Sequence, residues 1–314
     1  MHEIDCINSI LKNFKRSPDQ KNDPFQSDAE ILDINGELFG ITMDEFSSGE
    51  DMFDVDDLFK LGKNLAVATI SDLLAVSCTP AFFMHSIVYP ADNHNFAPGI
   101  AAGIKNILDQ CNCFLIGGDL GQSASWHYTA VVFGTFKTCK PTTRIIPHHQ
   151  QDLWITGTLG DANLSALTGL PTPEFELRLE QADMIKQCAN ACIDTSGGLI
   201  ESLWTLKDLN PGISFYINSE SIPYDKSVLD FCAKEEFPKE AFLFGGAGEY
   251  ELLFTTDFAI EIAGCRKIGT IKPTGKSQLF WDNKPINKPP ADPREFINRE
   301  QYIQKIMEDV KQCL

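Results

Sequence analysis

The chain has 314 residues, enough for about two domains and for a core that needs no disulfide or metal staple. Hydrophobic residues make up 43% and charged residues 22%, the balance of a soluble globular protein. With 26 Lys+Arg against 44 Asp+Glu the formal charge is −18, which excludes a non-specific nucleic-acid binder but leaves room for a nucleotide whose charge a metal ion meets locally. No apolar run is long enough for a transmembrane helix. The start, Met1-His2-Glu3-Ile4-Asp5-Cys6, lacks the basic and apolar regions of a signal peptide. The expectation is a cytoplasmic protein with no membrane partner. The ten cysteines are scattered. Cys111-x-Cys113 and Cys188-x3-Cys192 do not have zinc-ribbon spacing, so they read as reduced thiols.

In chain order, residues 1–24 form a polar lead with a short helical stretch at Ile4–Phe14. Ile31–Asp33 and Leu38–Met43 are predicted strands around the hairpin dipeptide Asn35-Gly36. Ser47–Asp57, acidic and carrying Gly49, reads as a loop. Leu58–Ser77 has apolar residues near helical spacing, and Pro80 is expected to end it. Phe82–Tyr89 is a predicted strand, Pro98–Cys111 a helix with Pro in its first turn, Phe114–Ile116 a short buried strand, and Tyr128–Phe136 a longer one. Pro141–Gln151 is the linker candidate. Then follow strand Leu153–Thr156, helices Ala162–Leu170 and Glu176–Ala189, a short strand at Cys192–Asp194, and a helix from Gly198 to Leu206. Strand Ser214–Ile217, helix Lys226–Ala233, and strands Tyr250–Thr255 and Ile268–Ile271 complete the pass. The order is mixed α and β throughout, with domains predicted at 25–148 and 149–314.

Familiar phosphate motifs are absent. Gly269 to Gly275-Lys276-Ser277 has five residues between its glycines, carries Pro273, and runs into an apparent strand at Gln278–Trp281, whereas a P-loop opens a helix. Gly246-Ala247-Gly248 lacks the third glycine of a dinucleotide fingerprint, and no GxSxG elbow occurs. What remains is a set of aspartates beside Gly, Ser or Thr at element ends: Asp28, Asp44, Asp72, Asp119 and Asp194. Singly, each is an ordinary cap or turn residue. Asp72 differs because it interrupts an apolar helix, where a carboxylate must be paired, hydrogen-bonded or metal-bound. Such a set, with no matching lysines, suits Mg²⁺ shared with substrate phosphates.

Seven segments resemble thiamine-monophosphate kinase. Leu61–Leu73 followed by Pro80 is similar to K-A-L-A-V-N-L-S-D-L-A-A-M-G-A-x-P. Asp28-Ala29-Glu30-Ile31-Leu32 is similar to D-D-A-A-V-L, and Thr42-Met43-Asp44 to T-T-D. Leu115-Ile116-Gly117-Gly118-Asp119 matches L-I-G-G-D. Ile155–Asp161 is similar to V-T-G-x-x-G-D, Ile193–Leu199 to I-D-x-S-D-G-L, and Gly245–Phe254 to G-G-E-D-Y-E-L-L-F with one insertion. The order is that of the family, whose superfamily also holds aminoimidazole ribonucleotide (AIR) synthetase, selenophosphate synthetase and a hydrogenase-maturation protein.

The resemblance implies a two-domain α/β fold of the AIR synthetase type, whose N-terminal domain contributes to the β-barrel of a homodimer. It implies ATP and Mg²⁺ as cofactors and transfer of a phosphoryl group from ATP to a small phosphorylated acceptor. Asp28, Asp44, Asp72, Asp119 and Asp194 would be metal ligands, the last four catalytic. Gly117, Gly118, Asp119, Arg144 and Ser196 would bind the nucleotide, Arg144 through a phosphate. The alternatives are an AIR-synthetase-like ligase and a nucleotide-binding member without turnover. The chain departs from the family at Gly197, which replaces the second Asp of S-D-G, and at Ser27. It departs also at Met52-Phe53, where H-F is expected without its His, after Asp119, where an arginine is missing, and at Ala247-Gly248-Glu249. The departure at Gly197 implies that ATP binding outlasts phosphoryl transfer, with Gly197→Asp raising turnover.

Overall fold

The computed structural model describes residues 3–48, 51, 53–137 and 139–313. In its first half, helices α1 (Glu3–Leu11), α2 (Leu58–Ala75) and α3 (Phe96–Cys111) alternate with strands β1 (Glu30–Ile34), β2 (Glu37–Ser47), β3 (Thr79–Tyr89), β4 (Phe114–Gln122) and β5 (His127–Thr135). Residues 139–150 carry no helix or strand. Strand β6 (Gln151–Thr156) is followed by α4 (Asp161–Thr168), α5 (Leu179–Ile185), β7 (Ala191–Asp194), α6 (Leu199–Leu209), β8 (Ile213–Ile217) and α7 (Lys226–Glu235). Strands β9 (Leu252–Thr256), β10 (Cys265–Pro273), β11 (Leu279–Trp281) and β12 (Lys284–Ile286) precede the last helix, α8 (Arg299–Cys313). The strands form two sheets, ordered β1-β2-β5-β3-β4 and β12-β11-β8-β10-β6-β9-β7.

The first sheet begins with a hairpin. Asn35 (φ 56°) and Gly36 (φ 88°) both adopt the left-handed conformation that a two-residue hairpin turn needs. Along β2, Thr42 and Phe46 are buried while Met43 is exposed, so alternation turns one face inward. Helix α2 covers that face. Its N-cap Asp57 accepts a hydrogen bond from the Lys60 N–H at 3.0 Å, and most of its side chains are buried, as its nearly continuous apolar sequence requires. Helix α3 lies backbone to backbone against it. A Cβ on Gly62 would strike the Ile100 carbonyl oxygen, and one on Gly103 the Phe59 carbonyl oxygen.

The second sheet joins two cores. Leu153, Ile155 and Leu253 pack among α4, α6, α7 and α8, whereas Trp154, Leu252 and Phe254, on the opposite faces of the same strands, belong to the core under the first sheet. Strands buried on both faces read as continuous apolar runs, as β6 and β9 do.

Several elements depart from expectation. The predicted short buried strand at Phe114–Ile116 is the start of a nine-residue edge strand, β4, with Phe114, Leu115 and Ile116 all at least 51% exposed. The helix expected over Glu176–Ala189 is confined to Leu179–Ile185. Helix α2 stops before Pro80, which lies inside β3; its end is a left-handed residue, Ser77 (φ 65°). Strand β12 and helix α8 were not foreseen. Of the loop expected at Ser47–Asp57, Ser47 closes β2, and residues 49, 50 and 52 lie outside the described residues.

A candidate metal and nucleotide site

Three chain-distant carboxylates converge between the two sheets. Asp28 precedes β1, Asp72 sits near the end of α2, and Asp194 closes β7; an oxygen from each lies within 4.8 Å of the others. Each is held by its own neighbours. The Thr42 hydroxyl donates to Asp72 Oδ2 at 2.5 Å and the Ser71 hydroxyl to Asp194 Oδ2 at 2.6 Å. The Asp194 and Ser196 backbone N–H groups donate to Asp28 Oδ1 and Asp194 Oδ1, both at 3.3 Å. Arg144, from the irregular stretch before β6, forks onto Asp28 through Nη2 at 2.8 Å and Nε at 3.3 Å. The Asp28 side chain is fully shielded from solvent.

Electrostatically the group is unbalanced. Asp44, on the buried face of β2, adds a fourth carboxylate, and among the described residues named as acting on them Arg144 is the one cation. Burial, with repulsion from Asp44, Asp194 and Asp28, pushes Asp72 well above the ordinary carboxylate range. Burial and repulsion from Asp194 and Asp51 lift Asp44 to about 7, and burial with repulsion from Asp28 lifts Asp194 to about 6. An all-oxygen set with excess negative charge fits a hard divalent cation such as Mg²⁺.

This imbalance sets a pH dependence. In the metal-free protein these carboxyls bind protons more tightly than in the unfolded chain, where the reference value is 3.8. The folded state therefore carries more protons between about pH 4 and pH 7, and stability falls as pH rises through that window. We expect the metal-free Tm to be higher at about pH 5.5 than at about pH 7.5, and Mg²⁺ to raise it more at the higher pH. Scanning calorimetry at both pH values, with chelator and with Mg²⁺, checks this; an Mg²⁺ effect of the same size at both would contradict it.

The matching family model is AIR synthase related protein, N-terminal domain, over residues 26–136. The chain is 27% identical to the thiamine-monophosphate kinase of Buchnera aphidicola (subsp. Acyrthosiphon pisum), over 78% of this chain and 81% of that one. It is 25% identical to that of Pyrococcus abyssi, over 81% and 82%. Among solved structures, AaThiL complexed with AMPPCP and TMP superposes with a TM-score of 0.78 at 20% identity, over 91% of this chain and 95% of that one. Escherichia coli HypE, a hydrogenase maturation protein, gives 0.64 at 15%, over 88% and 93%.

The chain is similar to thiamine-monophosphate kinases over about four fifths of its length, and residues 26–136 match the AIR synthase related N-terminal domain.

The residues singled out by sequence fall into two sets. Asp28, Asp44, Asp72, Asp194, Ser196 and Arg144 come together. Asp119, Gly117 and Gly118 do not join them. They stand on exposed edge strand β4, and the register runs from Asp44 through Ala130 and His85 to Gly118. Three strand spacings, about 14 Å, separate the two sets. Gly117-Gly118-Asp119, which the resemblance places at the nucleotide, pair in parallel with Met84–Ser86 of β3 and so form part of the sheet. Arg144, expected on a phosphate, directs its guanidinium at Asp28 and, through Nη1 at 3.4 Å, the Phe25 carbonyl.

Sequence reasoning also passed over supporting residues. Thr42 lies two residues before Asp44 on the same face of β2, and Ser71 precedes Asp72 on α2; both stood inside quoted motifs. Tyr250 is a further omission. Its φ of 58° is uncommon for a bulky residue. It packs edge-on to Phe175 at 5.1 Å, and its hydroxyl titrates well above 10 through burial and the proximity of Asp44, Asp51, Asp194 and Asp72. The residues on either side, Glu249 and Glu251, face a separate cavity of about 500 Å³ that also holds Asp161 and Arg178.

Proposed function

We propose that this chain is a cytoplasmic, Mg²⁺-dependent phosphotransferase that moves the γ-phosphoryl group of ATP to thiamine monophosphate. The observation that carries the reading is the oxygen-only group of Asp28, Asp72 and Asp194, with Asp44 beside it and one guanidinium to steady it. It occurs in a chain alignable with thiamine-monophosphate kinases over about four fifths of its length. Asp28, Asp72 and Asp194 would hold Mg²⁺, with Asp44 within reach. Bound Mg²⁺ supplies charge neutralisation and alignment of phosphate oxygens, which is most of what phosphoryl transfer asks of an enzyme. Arg144 holds Asp28 in place, and the Ser71 and Thr42 hydroxyls fix the orientation of Asp194 and Asp72. Ser196, at the mouth of the Asp194 turn, is suited to nucleotide contact. The domain boundaries we propose are 25–148 and 149–314, after a lead of 1–24.

The test is ADP release with ATP and Mg²⁺, with and without thiamine monophosphate. Release that requires thiamine monophosphate supports the reading. Release only with a different acceptor would favour a sister ligase, and nucleotide binding without any release would favour a member without turnover.

A homodimer belongs to the same proposal. Edge strand β4 exposes Phe114, Leu115, Ile116 and Leu120, each by at least 51%. Unpaired edges of this kind invite a second strand, and a second copy of the chain would cover this one. Leu120→Asp is expected to convert the dimer to a monomer in light scattering at micromolar concentration. A wild-type monomer would overturn the proposal.

A further inference from the structure

We infer that the cavity bounded by Glu249 and Glu251 is a second binding site, built for a small organic cation with two positively charged nitrogen groups. It is framed by the turn after β6, the segment leading into α5 and the start of β10, and its volume of about 500 Å³ is that of a small-molecule site. Six carboxylates and two arginines line it. Three of the six are already matched. Arg178 forks onto Glu251 through Nε at 2.7 Å and Nη2 at 2.5 Å and pairs with Glu176, and Lys63 pairs with Glu174. The other three, Glu249, Asp161 and Asp225, have no cation within ion-pair distance among the described residues. Lys226, next to Asp225, turns to Asp230 instead. Only the exposed Arg266 stands against them in the lining.

Glu249 carries the argument. It is 5% exposed, and among the described residues its carboxylate is met by backbone alone: the Gly160 N–H donates to Oε1 at 2.7 Å, and the Ala162 N–H lies beside it. These groups belong to the start of α4, which Asp161 opens. A helix N-terminus presents about half a positive charge, so it cannot balance both Glu249 and Asp161. Burial and repulsion from Asp161 hold Glu249 well above the ordinary carboxylate range, and burial with repulsion from Asp225 lifts Asp161 to about 6. A buried charge without a counter-charge is costly, and a cation entering the cavity supplies one. A metal ion does not fit. Among the described residues the one trio of side chains tight enough to share an ion is Asp28, Asp72 and Asp194. The acids of the cavity stand farther apart as a trio, which suits N–H donors spread along a carbon chain. Phe175, buried in the wall, offers that chain an apolar face. Asp225 is held ready by the Ser227 N–H at 2.8 Å and the Thr158 hydroxyl at 3.3 Å.

Calorimetric titration of the full chain with agmatine and with putrescine tests this, because both are dications and neither carries a phosphate. Saturable one-to-one binding of at least one of them is expected, with Asp161→Asn and Glu249→Gln each weakening it by about tenfold or more. Glu37→Gln removes an exposed acid of β2, in the other sheet, and is expected to leave the Kd within about threefold. If Glu249→Gln, which loses an acceptor at the start of α4, fails to fold, Asp161→Asn decides. No saturable binding of either amine would overturn the inference. Equal weakening in Glu37→Gln would overturn it too, since the amines would then only screen a surface of net charge −18. So would undiminished binding in Asp161→Asn, which would place the amine elsewhere. Displacement of the bound amine by thiamine monophosphate would make the cavity part of the acceptor's site and would refute a second one.

Discussion

Asp72→Asn is expected to raise the Tm of the metal-free protein and, in the same molecule, to abolish Mg²⁺-dependent nucleotide binding. The two effects share one cause. Asp72 is a half-buried carboxyl facing Asp28, Asp44 and Asp194, so in the absence of metal its charge is a cost to the fold. Asparagine keeps the shape and can still accept the Thr42 hydroxyl bond, while it removes the charge. The metal loses a ligand, and affinity should fall by at least about 100-fold, the upper end of what weaker changes around metal sites produce. Calorimetry with chelator and thermal shift with Mg²⁺–AMPPCP measure the two sides. A drop in metal-free stability would mark Asp72 as a structural residue instead.

The second large effect is expected at Arg144. Its guanidinium meets a fully shielded Asp28, and its backbone ties distant segments together. The Arg144 N–H donates to the Gln26 carbonyl at 2.8 Å, and its own carbonyl accepts from Asn210 Nδ2 at 2.9 Å. Arg144→Met keeps those backbone bonds and much of the side-chain bulk but leaves Asp28 uncompensated. Breaking a buried pair by removing one partner costs about 3–5 kcal/mol. Chemical denaturation should show that loss with chelator present. Mg²⁺ should recover part of it, because a divalent ion supplies the missing positive charge. A loss below about 1 kcal/mol would mean that Asp28 is not buried as a charge.

How far the sequence could be read depended on whether the signal was local. The Asn35-Gly36 turn was legible because left-handed pairs have a short list of suitable residues. Asp72 was legible because a charge inside an apolar helix demands a partner. The convergence of Asp28 and Asp194 on Asp72 was not, since it is set by packing between segments 44 and 122 residues apart in the chain; only the family likeness suggested it. Strand β4 misled for a physical reason. Leu115-Ile116 is an apolar run, and such a run reads as buried whether it is covered by its own chain or left at an edge. Helix α8 buries Tyr302, Ile306 and Val310 at intervals of four, a pattern present in the sequence but set among polar residues that obscured it. Strand β12 spans only three residues after Asp282 and Asn283, too short to show alternation, whereas β11 was legible at Gln278–Trp281.

The most direct test of the account follows the γ-phosphorus of ATP. ³¹P NMR of the natural protein with ATP, Mg²⁺ and thiamine monophosphate should show thiamine diphosphate and ADP accumulating together, and neither should form when Mg²⁺ is chelated or when Asp194 is replaced by asparagine. Loss of ATP into free phosphate with thiamine monophosphate unchanged, or formation of the diphosphate at an undiminished rate in Asp194→Asn, would contradict it.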